Sequence, residues 1–412
     1  MSLLEKLRPS AAQQDNRADF VAFLGDDDSV EIMKRYVSQR LLPHAHVVRG
    51  NVDSAIQFLQ AQEQPPVQLL IDISTSETPL SELARLADTC EPSIEVYVIG
   101  SRNDVGLYRS LLQLGVRDYL VKPLTVDLLT RILEKNGPSP NQTRTGKVIS
   151  LTGSRGGVGV STITTHLGHY LAHAVQRRVA LVDLHLHGGT LNIQLGLESN
   201  NGLLDVLQNV HRLDTQYMER TLVNHSSRLS VLSASIELDR ALTIRPGAVG
   251  DLIDVLKQHF HYVLVDTPPA GTGNGHLTLE ALNHSKVVYV VADHSIHTAR
   301  HVPELLNYAS LRESEPAVSL LLNQPAPLTP AHVSPADLAI ACKREALLSL
   351  PYDALAVVMA ENLGEPLPVK SPFAQAVARL GNDLSGTGGD TLATATTGSW
   401  LTRWQRLIPR KG

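Results

Sequence analysis

Residues 153–162 read Gly153-Ser154-Arg155-Gly156-Gly157-Val158-Gly159-Val160-Ser161-Thr162, a phosphate-binding loop with valine where the phosphate-gripping lysine belongs. Lys147 to Leu151 before it is a short apolar run suited to a buried parallel strand. After it, Ile163, Leu167, Tyr170, Leu171 and Ala174 recur at helical spacing. A glycine-rich turn between strand and helix points successive main-chain N–H groups into one concavity, where the helix N-terminus adds partial positive charge. The pattern GxxxxGK[ST] puts its lysine at Val160; what survives is the Ser161 hydroxyl, the usual magnesium ligand, and a basic residue, Arg155, early in the loop. This is the deviant form KGGxGK[ST] with its first lysine replaced and its second lost. A tight turn that binds nothing is the competing reading of the motif taken alone.

Two more apolar runs, Val179-Ala180-Leu181-Val182-Asp183 and Tyr262-Val263-Leu264-Val265-Asp266, end in aspartate. Ligands of open parallel sheets gather at strand C-termini, so both acids are expected beside the loop. Asp266-Thr267-Pro268-Pro269 has the form of a magnesium-water carboxylate followed by a rigid switch loop. An apolar run ending in Asp is a weak sign by itself, since it also starts turns and caps helices. Three such pieces in chain order, separated by helical segments, predict an α/β nucleotide-binding domain.

On these residues the chain resembles the MinD/ParA superfamily of dimerising P-loop ATPases over about residues 147–385, and within it the TadZ/CpaE proteins of tight-adherence (Flp-type) pilus assembly. Ser154 to Gly159 with Ser161-Thr162 is similar to the pilus branch, where the loop is often atypical, and Val182-Asp183-Leu184 to the segment after the first helix. Leu321-Leu322-Asn323 resembles the strand end whose asparagine faces adenine. Leu350-Pro351-Tyr352-Asp353, then Asn362, Gly364 and Pro366, resemble the closing segment beside the nucleotide. The resemblance implies nucleotide contacts at Arg155, Gly156, Gly157, Val158, Gly159, Val160, Ser161, Thr162, Asn323 and Pro351, and magnesium with the nucleotide at Ser161, Asp183 and Asp266. It also implies a homodimer in which Arg155, at the early loop lysine, reaches the partner's phosphate; a surface salt bridge is the alternative for this arginine.

Two departures bear on chemistry. The family's second acid, associated with activation of water, is His185 here, and histidine supplies no fixed negative charge beside magnesium. Loss of lysine at Val160 removes a charge-assisted contact of about 1.5–3 kcal/mol, roughly ten- to a hundred-fold in affinity. Weak ATP binding with little or no hydrolysis is therefore expected, because phosphoryl transfer depends on preorganised positive charge.

A chain of 412 residues with 43% hydrophobic content supports two ordinary cores. The boundary falls in Asn136 to Gly146, rich in residues that oppose helix and strand. Before it, strands are expected at Phe20 to Leu24, Val67 to Ile71, Glu95 to Ile99 and Asp118 to Val121. Helices are expected at Ser29 to Leu41, Asp53 to Gln62, Leu80 to Thr89, Val105 to Leu114 and Val126 to Lys135. That alternation means a parallel sheet covered on both faces. Over about residues 19–135 the half resembles a response-regulator receiver domain. Asp26-Asp27-Asp28 follows the first strand, Asp72 ends the third and Lys122-Pro123 follows the last, which makes Asp72 a candidate phosphoacceptor with Asp27 and Lys122 around it. Gly25 intrudes before the acids and Gly100-Ser101 does not cleanly supply the usual switch hydroxyl, while Asn103 to Arg109 and Gly115 to Leu124 resemble the receiver-like module of TadZ/CpaE, which in that family is mainly a localisation and interaction device.

The fold class expected is thus α/β: a receiver-like doubly wound sheet (19–135), a linker (136–146), a larger MinD/ParA-type P-loop domain (147–385), and a tether with a basic tail (386–412). In that tail Trp400, Leu401, Trp404, Leu407 and Ile408 recur at helical spacing among Arg403, Arg406, Arg410 and Lys411, a pattern for peripheral membrane contact over Trp400 to Lys411 or for docking on a protein. A net charge of −5 and a pI near 6.4 leave no electrostatic footprint for nucleic acid. Cys90 and Cys342 are expected as reduced, buried thiols, and no run approaches a transmembrane span. Among the histidines, His185, His187, His294, His297 and His301 form no recognised ligand pattern, so no metal is expected beyond nucleotide-bound magnesium. The resemblance implies a cytoplasmic hub, at the cell pole or inner-membrane periphery, for a tight-adherence pilus machine, contacting its secretion ATPase or inner-membrane assembly proteins. The rivals are an active MinD-like membrane-cycling ATPase, a nucleotide-free scaffold, and a regulator controlled by phosphorylation of Asp72.

Overall fold

The protein is described here from a computed structural model covering residues 20–133 and 145–386, apart from 41, 43, 63–64, 199, 211–214, 238–241, 272–274 and 312–315. Trp400 to Lys411 and all but the last two residues of the expected linker lie outside the described residues. The first unit runs β1 (Phe20–Leu24), α1 (Asp27–Arg40), β2 (Ala45–Arg49), α2 (Val52–Ala61), β3 (Gln68–Asp72), α3 (Pro79–Thr89), β4 (Glu95–Gly100), α4 (Val105–Gln113), β5 (Asp118–Val121) and α5 (Val126–Leu133). Its five parallel strands are ordered β2-β1-β3-β4-β5. Alternate residues feed opposite faces: Val21, Phe23, Leu69 and Ile71 enter one apolar cluster, and Phe20, Ala22, Leu24 and Leu70 the other. Helices on both faces leave no wet side, which is why these strands read as continuous apolar runs. The strand β2 is absent from the sequence expectation because its AHVVR pattern is half exposed at the sheet edge. The first helix starts two residues earlier than expected because the Asp26 carboxylate accepts from the Ser29 amide (2.7 Å) and hydroxyl (3.0 Å).

The second unit contains β6 (Lys147–Gly153), α6 (Val160–His173), β7 (Val179–Asp183), α7 (Leu191–Gln194), α8 (Gly202–Gln208), α9 (Thr215–Thr221), β8 (Val223–Asn224), β9 (Leu229–Leu232), α10 (Ala248–His259), β10 (Tyr262–Thr267), α11 (Gly275–Asn283), β11 (Val287–Ala292), α12 (Ile296–Ser310), β12 (Ala317–Asn323), α13 (Pro335–Cys342), β13 (Ala346–Leu350), α14 (Ala354–Leu363) and α15 (Pro372–Ser385). Its sheet is ordered β13-β12-β11-β6-β10-β7-β9-β8, and all neighbours are parallel except the β8–β9 pair. Central β10 sends Val263 and Val265 to one core and Tyr262 and Leu264 to the other. Both α/β units expected from the sequence are present. Cys90 and Cys342 are buried free thiols, and among the described residues no helix is long and apolar enough to cross a membrane.

The first unit meets the second at the end of the strands opposite β6's glycine loop. Arg228, one residue before β9, donates to the Gln60 and Gln62 carbonyls (2.9 and 3.1 Å), and Arg178 pairs with Glu91 at 2.9 Å. His261 joins the two: its Nδ1 accepts from the Arg178 amide (3.2 Å), and its Nε2–H donates to the Thr89 carbonyl (3.1 Å). This pair of bonds requires neutral imidazole. Burial first, then the Arg177 charge, push His261 down to about 3.

A histidine held neutral in the fold but protonated when unfolded contributes stability that is complete above about pH 6.5 and lost as pH falls towards 3. Denaturant unfolding at pH 7.5 and pH 5 is expected to show that loss, with a shallower pH dependence in His261→Gln. Equal pH slopes in the two proteins would remove His261 from this role.

Candidate functional site

Strand β6 lies inside the sheet, and the chain turns from its end through Ser154–Gly159 into α6. Gly157 (φ 78°) and Gly159 (φ 93°) are left-handed, a conformation that side chains resist. At Gly159 a Cβ would also stand 2.3 Å from the Asn323 amide nitrogen. The first main-chain bond into the helix runs from Ile163 to the Gly159 carbonyl (3.0 Å), so the amides before it are the orphan donors of a helix N-terminus. Val160 is 8% exposed and joins Val158 and Ile163 in the apolar core. The lysine position is therefore filled by a side chain that turns inward. Arg155 pairs with Asp293 of its own chain and donates to the Gly156 carbonyl (3.0 Å). Burial alone would raise Asp293, but hydrogen bonds from Ser295, Arg155 and Thr298 hold it below the usual carboxylate range.

Asn323, at the end of β12, donates to the Val158 carbonyl at 2.8 Å and leaves a buried Oδ1 without a partner. Pro351 follows β13 and leads into α14, which lies over the loop through a 2.6 Å bond from Thr162 to Glu361. Asp353, before α14, accepts from Ser371. Ser161 sits in the first turn of α6, half-buried.

The two strand-end acids are direct neighbours, since Asp183 of β7 and Asp266 of β10 are register partners. Asp183 accepts from the His185 amide (3.1 Å) and the Leu191 amide (3.2 Å). Gly189 packs so closely over it that a Cβ there would lie 2.4 Å from Oδ2. Asp266 has no exposed surface, and neither of its carboxylate oxygens has a hydrogen-bond partner. His185 Nε2 lies 3.5 Å from Asp266 Oδ1, an ion-pair distance rather than a hydrogen bond, so the histidine substituted for the second acid stands at the carboxylate pair. Burial first, then Asp266, push the Asp183 carboxyl up. Burial would lower His185, but Asp266 outweighs it and raises the imidazole. Two buried carboxylates side by side, one without any donor, fit a divalent cation.

A family profile described as "ParA: NUBPL iron-transfer P-loop NTPase" matches residues 144–306. A putative septum site-determining protein MinD from Emiliania huxleyi is 28% identical over 230 residues, 54% of this chain and 79% of that protein. A ParA family ATPase from Chlorobium tepidum TLS superposes with a TM-score of 0.52 at 20% identity, covering 58% of this chain and 98% of the other. The septum site-determining protein MinD of Pyrococcus horikoshii OT3, complexed with Mg-ADP, gives 0.50 at 21% identity, over 60% of this chain and 98% of its own. These matches support the MinD/ParA P-loop NTPase superfamily. In the second unit the main-chain cradle and the carboxylate pair are in place. Val160 and His185 stand where the sequence pattern leads one to expect a lysine and an acid.

Three of the sequence assignments need revision. The acid beside Lys122 is Asp26: Asp27 begins α1, is exposed and pairs with Arg49 at 3.2 Å. His185 belongs to a possible cation centre with Asp183 and Asp266, and His169, His173 and His225 form a second group of metal-ligating side chains. Of the other histidines singled out, the Nδ1 of His187 and that of His294 bond main-chain carbonyls of Glu237 and Val333 (3.2 and 3.1 Å). Gly25 is explained rather than intrusive, for its amide donates to Asp72 Oδ2 at 3.0 Å and a Cβ there would crowd that oxygen. Lys122 bridges Asp26 and Asp72, and the Asp72 side chain, also bonded by the Ser74 amide (2.8 Å), has no exposed surface. Burial alone would raise Asp26, but bonds from Lys122 and Ser29 hold it down at about 2.

With both oxygens of Asp72 engaged, the cluster acts as an internal ion pair. Incubation with acetyl phosphate and magnesium is expected to leave the intact mass unchanged, and gain of a phosphoryl group would contradict this. Lys122→Met, which strands a buried carboxylate, should cost the first unit about 3–5 kcal/mol in denaturant unfolding.

Proposed function

We propose that this chain is a spatial-localisation and assembly hub whose MinD/ParA-type domain holds ATP weakly, hydrolyses it little or not at all, and uses the occupied site to govern pairing of two copies. Val160 carries the reading: a buried apolar side chain at the phosphate-gripping position of a loop that keeps its main-chain turn. Helix N-terminal amides still bind phosphate in the ground state. Turnover loses more, because positive charge must already be in place where negative charge moves. Asp183, Asp266 and Ser161 would hold magnesium, which when bound offsets phosphate charge.

The exposed apolar face of α14 supports a second copy as the covering surface. Leu355 (76% exposed), Val358, Met359 and Leu363 line that helix, which the Thr162–Glu361 bond holds beside the loop. Arg155, released from Asp293, would be the residue to reach the partner's phosphate. The TadZ/CpaE-like residues of the loop and of the receiver-like unit support a tight-adherence pilus machine as the assembly served. Its secretion ATPase or inner-membrane assembly proteins are the partners, met at the cell pole or the cytoplasmic face of the inner membrane.

Val160→Lys tests the carrying observation. A fluorescent ATP analogue with magnesium should bind the variant about ten- to a hundred-fold more tightly than the natural protein. Unchanged affinity in a folded variant, or ATP turnover by the natural protein at rates ordinary for P-loop enzymes, would overturn the reading.

A further inference from the structure

The other end of α6 carries a different chemistry. His169 and His173, four residues apart, lie on one stripe of the helix, with rings stacked at 4.1 Å between centroids. The turn after β8 brings His225 beside both, at 6.0 and 5.9 Å. One ring nitrogen from each of the three lies within 4.8 Å of the others.

One of the three rings is oriented by a main-chain carbonyl in the manner of metal-ligating histidines. His173 donates Nδ1–H to the His169 carbonyl at 3.1 Å, which leaves Nε2 as the free lone pair. His225, half-buried, faces both rings edge-on. Burial first and the neighbouring histidines second push His169 down to about 4 and lower His225, so these rings are neutral near pH 7, the form that ligates.

We propose that His169, His173 and His225 form a binding site for a divalent transition metal of the zinc type, with three imidazole ligands and an open fourth position. Zinc–nitrogen bonds of about 2.0–2.1 Å require the rings to close only modestly from their present spacing, and exposed His173 is free to make that adjustment. The absence of a carboxylate from the trio selects against magnesium and calcium, which take oxygen ligands. A cation there also meets the negative end of the α6 dipole. The metal ties the last turn of α6 to the β8–β9 hairpin, one helix length, roughly 20 Å, from the phosphate loop. The site is independent of the nucleotide proposal.

The test is calorimetric titration of Zn2+ into tag-free, metal-stripped full-length protein without nucleotide. The expected result is one Zn2+ per chain, not displaced by excess Mg2+, with a rise in Tm and with Co2+ giving the visible absorption of a four-coordinate site. His173→Gln, which alters an exposed ring, and His225→Gln should each weaken binding at least about tenfold while the circular dichroism spectrum is kept. No zinc binding would overturn the proposal. So would binding that survives both substitutions, or that is lost in His185→Gln and kept in His225→Gln, which assigns the metal to Asp183 and Asp266.

Discussion

The second unit's chemistry depends on one main-chain turn, the passage from β6 into α6. Two left-handed glycines bend the chain into a helix whose first amides are orphan donors, the arrangement that suits an anion. Everything that surrounds it serves that geometry. Asn323 ties the Val158 carbonyl and fills the space beside Gly159, Glu361 holds Thr162, and β7 and β10 end in carboxylates in register. A cradle made of backbone survives side-chain replacement, which is why a loop without its lysine keeps its shape and why Val160 is accommodated by turning into the core.

The replacements are correlated in effect. Arg155 pairs with Asp293 within the chain, Val160 offers no charge, and His185 stands at the Asp183–Asp266 pair where an acid is expected. In the proposed reading, each would cost phosphoryl transfer more than ground-state binding. The first unit lies against the opposite end of the same strands, through His261, Arg178 and Arg228, and so does not obstruct the loop. In the proposed reading, a nucleotide at one end of the strands and a second unit at the other would suit positioning work rather than rapid turnover.

Much of this architecture was legible in the sequence because its strands are buried on both faces: runs such as Val179–Asp183 and Tyr262–Thr267 announce themselves as apolar stretches with an acid near the end. Edge strand β2 is half exposed and was not legible in this way, and the interior runs of β9 and β11, though buried, carried no chemical residue at their ends to single them out. Three consecutive aspartates could not reveal which one faces Lys122, because that depends on where α1 begins, and Asp26 is both its cap and the lysine's partner. The histidine trio was hidden for a different reason. The helical spacing of His169 and His173 is local, but His225 reaches them only through the β8–β9 turn, and no one-dimensional pattern encodes that approach.

The most direct measurement is a structure of the full-length protein determined with ATP and magnesium at millimolar concentration. The account predicts an uncleaved triphosphate seated on the Gly156–Thr162 main chain, a cation between it and the Asp183–Asp266 pair, and Val160 still turned into the core. An empty loop, or one holding only ADP after turnover, would contradict it.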